Sequence, residues 1–241
     1  MSYYRLMAGL PALPEQAEGA PIPLAEVLRE MLEELEESER DRALVLALLG
    51  QIDCRNVESV LRGFQLFDER GLLSKQAIEE RSQLPEYIEE FIERYESGSL
   101  SELHPFDALW RAYFQQLSEL AQSAGNAFLR DWVAFELGLL DGLVRLRAEE
   151  LGEKAELRST GLEDEGSDEH QALLASLAET SSPMERERLL DSARLRAIES
   201  FSGTDPFSVD AVLAYLVASL ILDRWDLSKN ADAAKILEVF A

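Results

Sequence analysis

The chain of 241 residues reads as all-α, and three observations carry that reading. Apolar residues recur at i, i+3, i+4 and i+7 in one segment after another, the spacing that lays a continuous stripe along one side of a helix. Strict apolar-polar alternation never persists for a strand's length. Helix-start chemistry falls where stripes begin, as in Ser182-Pro183-Met184-Glu185, which offers an N-cap hydroxyl, a proline at the first helical position and a Glu to complete a capping box.

Taken in order, the N-terminal SYYRLM fits neither period, so sheet is expected at most as a short element near residues 3 to 8. Four prolines and two glycines between residues 9 and 23 then predict an extended stretch, making residues 1–23 a lead-in. Leu24, Val27, Leu28, Met31, Leu32 and Leu35 form the first helical stripe. A second helix is built on Leu44, Leu48 and Leu49. Asp53 is read as ending it and capping the next, which starts near Cys54 or Arg55 and carries Val57, Val60, Leu61 and Phe64. Were that helix to run back to residue 53, Asp53 would face the core. Glu58 and Arg62 are placed as an exposed i, i+4 pair.

Tyr87, Ile88, Phe91, Ile92 and Tyr95 form the next stripe, and Ser99 with Glu102 repeats the capping box. Longer stripes follow, from Phe106 through Trp110 and Tyr113 to Leu120, and from Trp132 through Phe135 and Leu139 to Leu143. Residues 24–157 thus make a main helical body. Residues 158–183, acidic and rich in Gly and Ser, predict a flexible connection with one helical turn or two inside it. Residues 184–241 follow, with Asp205-Pro206 as a cap and Val209, Val212, Leu213, Leu216 and Leu220 as a stripe. They are too short to bury two faces alone and are expected to pack on the main body.

Composition limits function. With 47 acidic against 23 basic residues, the net charge of −24 repels phosphate backbones and anionic headgroups, so nucleic acid is not expected as a partner and a basic or neutral protein surface is. A single cysteine, Cys54, excludes an internal disulfide, and the N-terminus has no apolar run of signal-peptide length, so the expected compartment is the cytoplasm. The most apolar stretch has 12 residues between Asp210 and Asp223. A membrane span needs about 20, so this is expected to be a core helix.

Chemistry is sparse. His104, before Pro105, and His170, in the acidic connection, read as surface histidines without a relay partner, and Cys54 as a packing cysteine. No nucleotide-binding, nucleophile-elbow or zinc-protease motif occurs, and no cofactor or small-molecule substrate is expected. Three carboxylates turn inward: Glu136 and Asp223 on apolar stripes, and Asp53 on the condition above, while Asp141 falls on the opposite side of its helix. Together with a divalent cation the three could make an acid/base or metal site. Pairing with some of the nineteen arginines is the plainer expectation.

The segment DCRNVESVLRG, with Asp53, Asn56 and Arg62, resembles an Asp-x-x-Asn element of the C-type stalk component of V/A-type ATPases, whose vacuolar counterpart is the d-type component. A weaker echo in WVAFELGLLDGLVRLRAEELG keeps the six-residue spacing of Asn56 and Arg62 through Asp141 and Arg147, with Asp where the element has Asn. SYYRLMAGLP at 2–11, ERERLLDSARL at 185–195 and FSVDAVLAYLVASLILDRW at 207–225 resemble segments of a bacterial family encoded among V-type ATPase genes. The resemblance implies quasi-repeated helical bundles and a non-catalytic central-stalk adaptor. Such a protein would lie at the inner face of the membrane, link the rotor shaft to the membrane ring, and serve ion transport with no active site of its own. An acidic accessory or assembly factor for a basic partner, and a metal-dependent all-α enzyme, are the alternatives.

Overall fold

The computed structural model of the chain describes residues 2–14, 19–100, 104–152 and 168–230. Ten helices and no strand occur among them: α1 (Tyr4–Gly9), α2 (Leu24–Glu34), α3 (Glu39–Leu61), α4 (Lys75–Glu80), α5 (Glu86–Glu96), α6 (Pro105–Ala124), α7 (Ala127–Glu150), α8 (Asp168–Glu179), α9 (Pro183–Phe201) and α10 (Val209–Asn230). The unassigned SYYRLM is therefore helical from Tyr4 onward.

α10 is the hub. It packs on α2, α3, α7 and α9, and from Ala211 to Leu222 every side chain except Tyr215 is buried. A helix apolar all round has no solvent face to keep, so it goes to the centre, each buried Leu or Val adding roughly 1.5–3 kcal/mol. No helix among the described residues is long and apolar enough to cross a membrane. One core cluster runs from Tyr3 to Leu222, so α9 and α10 complete the interior of the N-terminal body.

α6 and α7 form an antiparallel hairpin. Gly125 ends α6 in the left-handed region (φ 60°). Asn126 then caps α7, accepting from the Leu129 amide at 2.7 Å, and its own amide donates to Asp210 at 2.6 Å, which fixes the hairpin to the start of α10. α9 starts as its signal predicts, with Ser182 capping Glu185 and Pro183 in the first turn.

Several expectations are corrected. α3 is continuous for 23 residues, so Asp53 ends nothing. Asp205 accepts from the Phe207 amide in a turn, and the side chain capping α10 is Ser208, which accepts from Ala211 at 3.2 Å. Ser99 closes the end of α5 on the Arg94 carbonyl; Glu102, the other half of its expected box, lies outside the described residues, as do residues 158–167 of the connection. The rest of the connection holds α8, twelve residues long, where one or two turns were expected. It lies on α7, with His170 seated over Gly138, where an added Cβ would make a tight contact, and Leu174 over Gly142, where an added Cβ would overlap it.

Candidate functional site

The segment around Asp53 and Asn56 is a clamp for the loop between α3 and α4. The Asn56 amide pairs with the main chain of Asp68 in both directions, donating to its carbonyl at 2.8 Å and accepting from its N–H at 2.9 Å. Asp53, 2 % exposed, accepts from the Leu73 amide at 3.0 Å. Burial pushes its carboxyl up to about 6, against the pull of the Leu73 and Leu72 amides. Gly71 passes so close that a Cβ there would overlap Asp53 Oδ1. Arg70 then ties the loop to α10, reaching Asp68 at 2.7 Å and Asp223 at 2.8 Å. Arg62 sits at the end of α3, paired with Glu58 at 2.8 Å and stacked over Phe64.

The corresponding stretch of α7 is built differently. Asp141 is taken by Arg111 of α6 at 2.9 Å and Arg147 by Asp107 at 2.6 Å. The Asp141 side chain is only 11 % exposed, because α7 is covered on both sides, by α6 on one and by α8 and α9 on the other. Sequence periodicity sees one stripe and places Asp141 outside it; the second neighbour reverses that.

Beneath this stretch lies a charged chamber of about 220 Å³ between α3, α6, α7, α9 and α10. Glu136, 6 % exposed, receives Arg194 through two bonds at 2.7 and 3.1 Å. Asp191, fully buried, accepts from Arg194 at 3.2 Å, from Arg224 at 2.6 Å and from the Trp225 indole at 2.8 Å. Burial alone would depress the Arg194 guanidinium, but Glu136 and Asp191 hold it charged and raise it instead. Arg55 faces the same space from α3, and Trp110 and Trp132 wall it.

Arg55 differs from the other two arginines. It makes no hydrogen bond or ion pair among the described residues, and burial followed by the repulsion of Arg224 lowers its pKa. Asp191, Arg194, Arg224 and Arg55 were not singled out from sequence. The available signal was Asp191 and Arg194 spaced i, i+3 inside the apolar run of α9, with an Arg-Trp pair ending the most apolar helix.

The three inward carboxylates do not converge. Asp53 goes to backbone amides, Asp223 to Arg70 and Glu136 to Arg194. Among the described residues no group of three or more His, Cys, Asp or Glu side chains is arranged to hold a metal ion. Cys54 is buried, and burial pushes its thiol well above the ordinary range, which makes it inert. His104 precedes α6 half-exposed beside Phe106. His170 is 7 % exposed and packs its ring against Phe135 with centroids 4.8 Å apart, which corrects its reading as a surface histidine.

The family model described as "Protein of unknown function (DUF2764)" matches residues 1–161 and 154–238. No curated protein and no solved structure matches the chain. The chain belongs to that family.

Proposed function

We propose that this protein is a non-catalytic adaptor in the central stalk of a bacterial V/A-type rotary ATPase, similar in role to the C-type stalk component. It would join the rotor shaft to the membrane ring at the inner face of the membrane. The observation that carries the reading is the mutual packing of two segments that carry the resemblance, 2–11 and the distinctive 207–225. The Tyr3 amide donates to the Phe207 carbonyl at 2.8 Å, the Tyr4 and Phe207 rings stand 4.8 Å apart, and the Tyr215 hydroxyl donates to the Pro11 carbonyl at 3.1 Å. Two stretches about 200 residues apart in the chain thus form one unit, so the resemblance follows a structural element and not scattered similarity.

The polar interior supports a mechanical role. Inward carboxylates are tied one by one to loops and neighbouring helices, an arrangement that stiffens a body able to pass torque and leaves no acid/base pair for turnover. The net charge of −24 suits basic loops on a shaft or ring.

Affinity purification of the tagged chain from membranes of its host tests the reading. The shaft and ring proteins are expected to co-purify, and recovery should fall as salt rises, because exposed pairs are screened beyond about 10 Å at 0.1 M. Recovery with assembly intermediates alone, and never with the finished complex, would move the assignment to an acidic assembly factor.

A further inference from the structure

We propose that the chamber between α3, α6, α7, α9 and α10 binds a small organic anion, a carboxylate carried on a flat apolar body. The ligand is held and not turned over, so the site adds a regulatory or stabilising input to whatever the body carries.

Charge and donor count point the same way. The chamber is lined by three cations, Arg55, Arg194 and Arg224, and two anions, Glu136 and Asp191. Both anions are already saturated by Arg194, Arg224 and the Trp225 indole. Arg55 is left over. Its guanidinium has five N–H donors, none given to a protein acceptor among the described residues, and Arg224 and Arg70 add to its positive surroundings. Asp68 and Asp223 also act on Arg55 through space, but both are bonded to Arg70. Trp110 and Trp132 line the same space, and neither indole N–H donates to a protein acceptor among the described residues. Surplus donors around an unfilled volume call for an acceptor, and the bidentate fit of guanidinium to carboxylate supplies it.

The walls set the rest of the ligand. Trp110, Trp132 and Phe114 supply aromatic walls, with Leu143, Val217 and Leu220 also lining the space. A volume of about 220 Å³ is below the roughly 300–1,000 Å³ of drug-sized sites, which limits the occupant to a small planar molecule. Arg224 lines the chamber with its side chain 40 % exposed.

The full chain, labelled with ¹⁵N, is titrated to roughly 10 mM with benzoate, with its neutral isostere benzamide and with inorganic phosphate. Benzoate is expected to bind saturably and raise the melting temperature. The indole signals of Trp110 and Trp132 should move most, since the Trp225 N–H is held by Asp191. Benzamide and phosphate should bind at least about tenfold more weakly, the first lacking the charge and the second the body. Arg55→Met should abolish the benzoate shifts, and Arg55→Gln serves the same purpose if the Met variant does not fold. No saturable benzoate shift in the wild-type chain, equal binding of benzamide or phosphate, or undiminished benzoate binding in the Arg55 variant overturns the proposal.

Discussion

The clamp on α3 and the chamber under α7 are both buried polar clusters, yet they balance their charges in opposite ways. At the clamp, Asp53 and Asn56 are satisfied by backbone groups of one loop, at 2.8 to 3.0 Å. Backbone donors are neutral and fixed, so they hold a loop in register and have nothing left to offer. In the chamber, carboxylates are satisfied by arginines, and one arginine more is present than the carboxylates require. The first pattern is a joint. The second is a joint with spare capacity.

That contrast is broken most forcefully at Asp191. Asp191→Ala removes the shared acceptor of Arg194, Arg224 and the Trp225 indole and leaves Arg194 with Glu136 alone; it should cost about 3–5 kcal/mol, with Glu136→Ala somewhat less because it removes only the bonds from Arg194. Chemical denaturation measures both. If either loses under about 1 kcal/mol, the chamber is hydrated enough to be no different from surface.

At the clamp the losses should be smaller. Asn56→Ala removes both bonds to Asp68 and is expected to cost roughly 2 kcal/mol. Hydrogen exchange should show protection lost in the loop at residues 64–74 and retained in α10. Global loss of protection would mean that the clamp is part of the core rather than a fastening for one loop.

Asp53 gives the pH test. Its folded carboxyl, at about 6, lies above the ordinary Asp value of about 3.9. Between those values the native state holds a proton that the unfolded chain has released, so this group favours folding at the low end and that contribution is lost as pH rises through about 6. Asp53→Asn keeps an acceptor for the Leu73 amide and removes the titration. Relative to wild type it should be more stable at pH 7 by up to about 3 kcal/mol, with the difference nearly gone at pH 4. A variant less stable at pH 7 would show that the carboxylate charge itself is needed.

The smallest effect is expected at Arg55. Because it has no partner to strand, Arg55→Met should leave stability within about 1 kcal/mol of wild type, or raise it. A loss comparable to Asp191→Ala would erase the distinction between the clusters.

Much of this was legible in the chain. Stripes fix the helices because burial selects one side at 3.6 residues per turn, and inward carboxylates imply partners because an unpaired buried charge is costly. The identity of those partners was not legible: Arg194 lies 58 residues from Glu136 and Arg70 lies 153 from Asp223. Asp53 reads as a helix end because Asp favours caps. Only the later loop, with Gly71 allowing close approach, shows why it sits mid-helix. His170 was hidden by its acidic neighbours, since composition reports solvation and not the glycine-lined seat on α7. Arg55 looked like any exposed arginine, and its distinction is the absence of a partner among the described residues, which no spacing encodes.

The adaptor reading is tested most directly by coupling. Ions moved per ATP hydrolysed are measured in membrane vesicles from the host with and without the gene for this chain, and after adding the purified protein back. The account predicts that hydrolysis by the catalytic head persists without the protein, that ion movement collapses, and that the wild-type chain restores it. An unchanged ratio in vesicles lacking the protein would contradict the adaptor role.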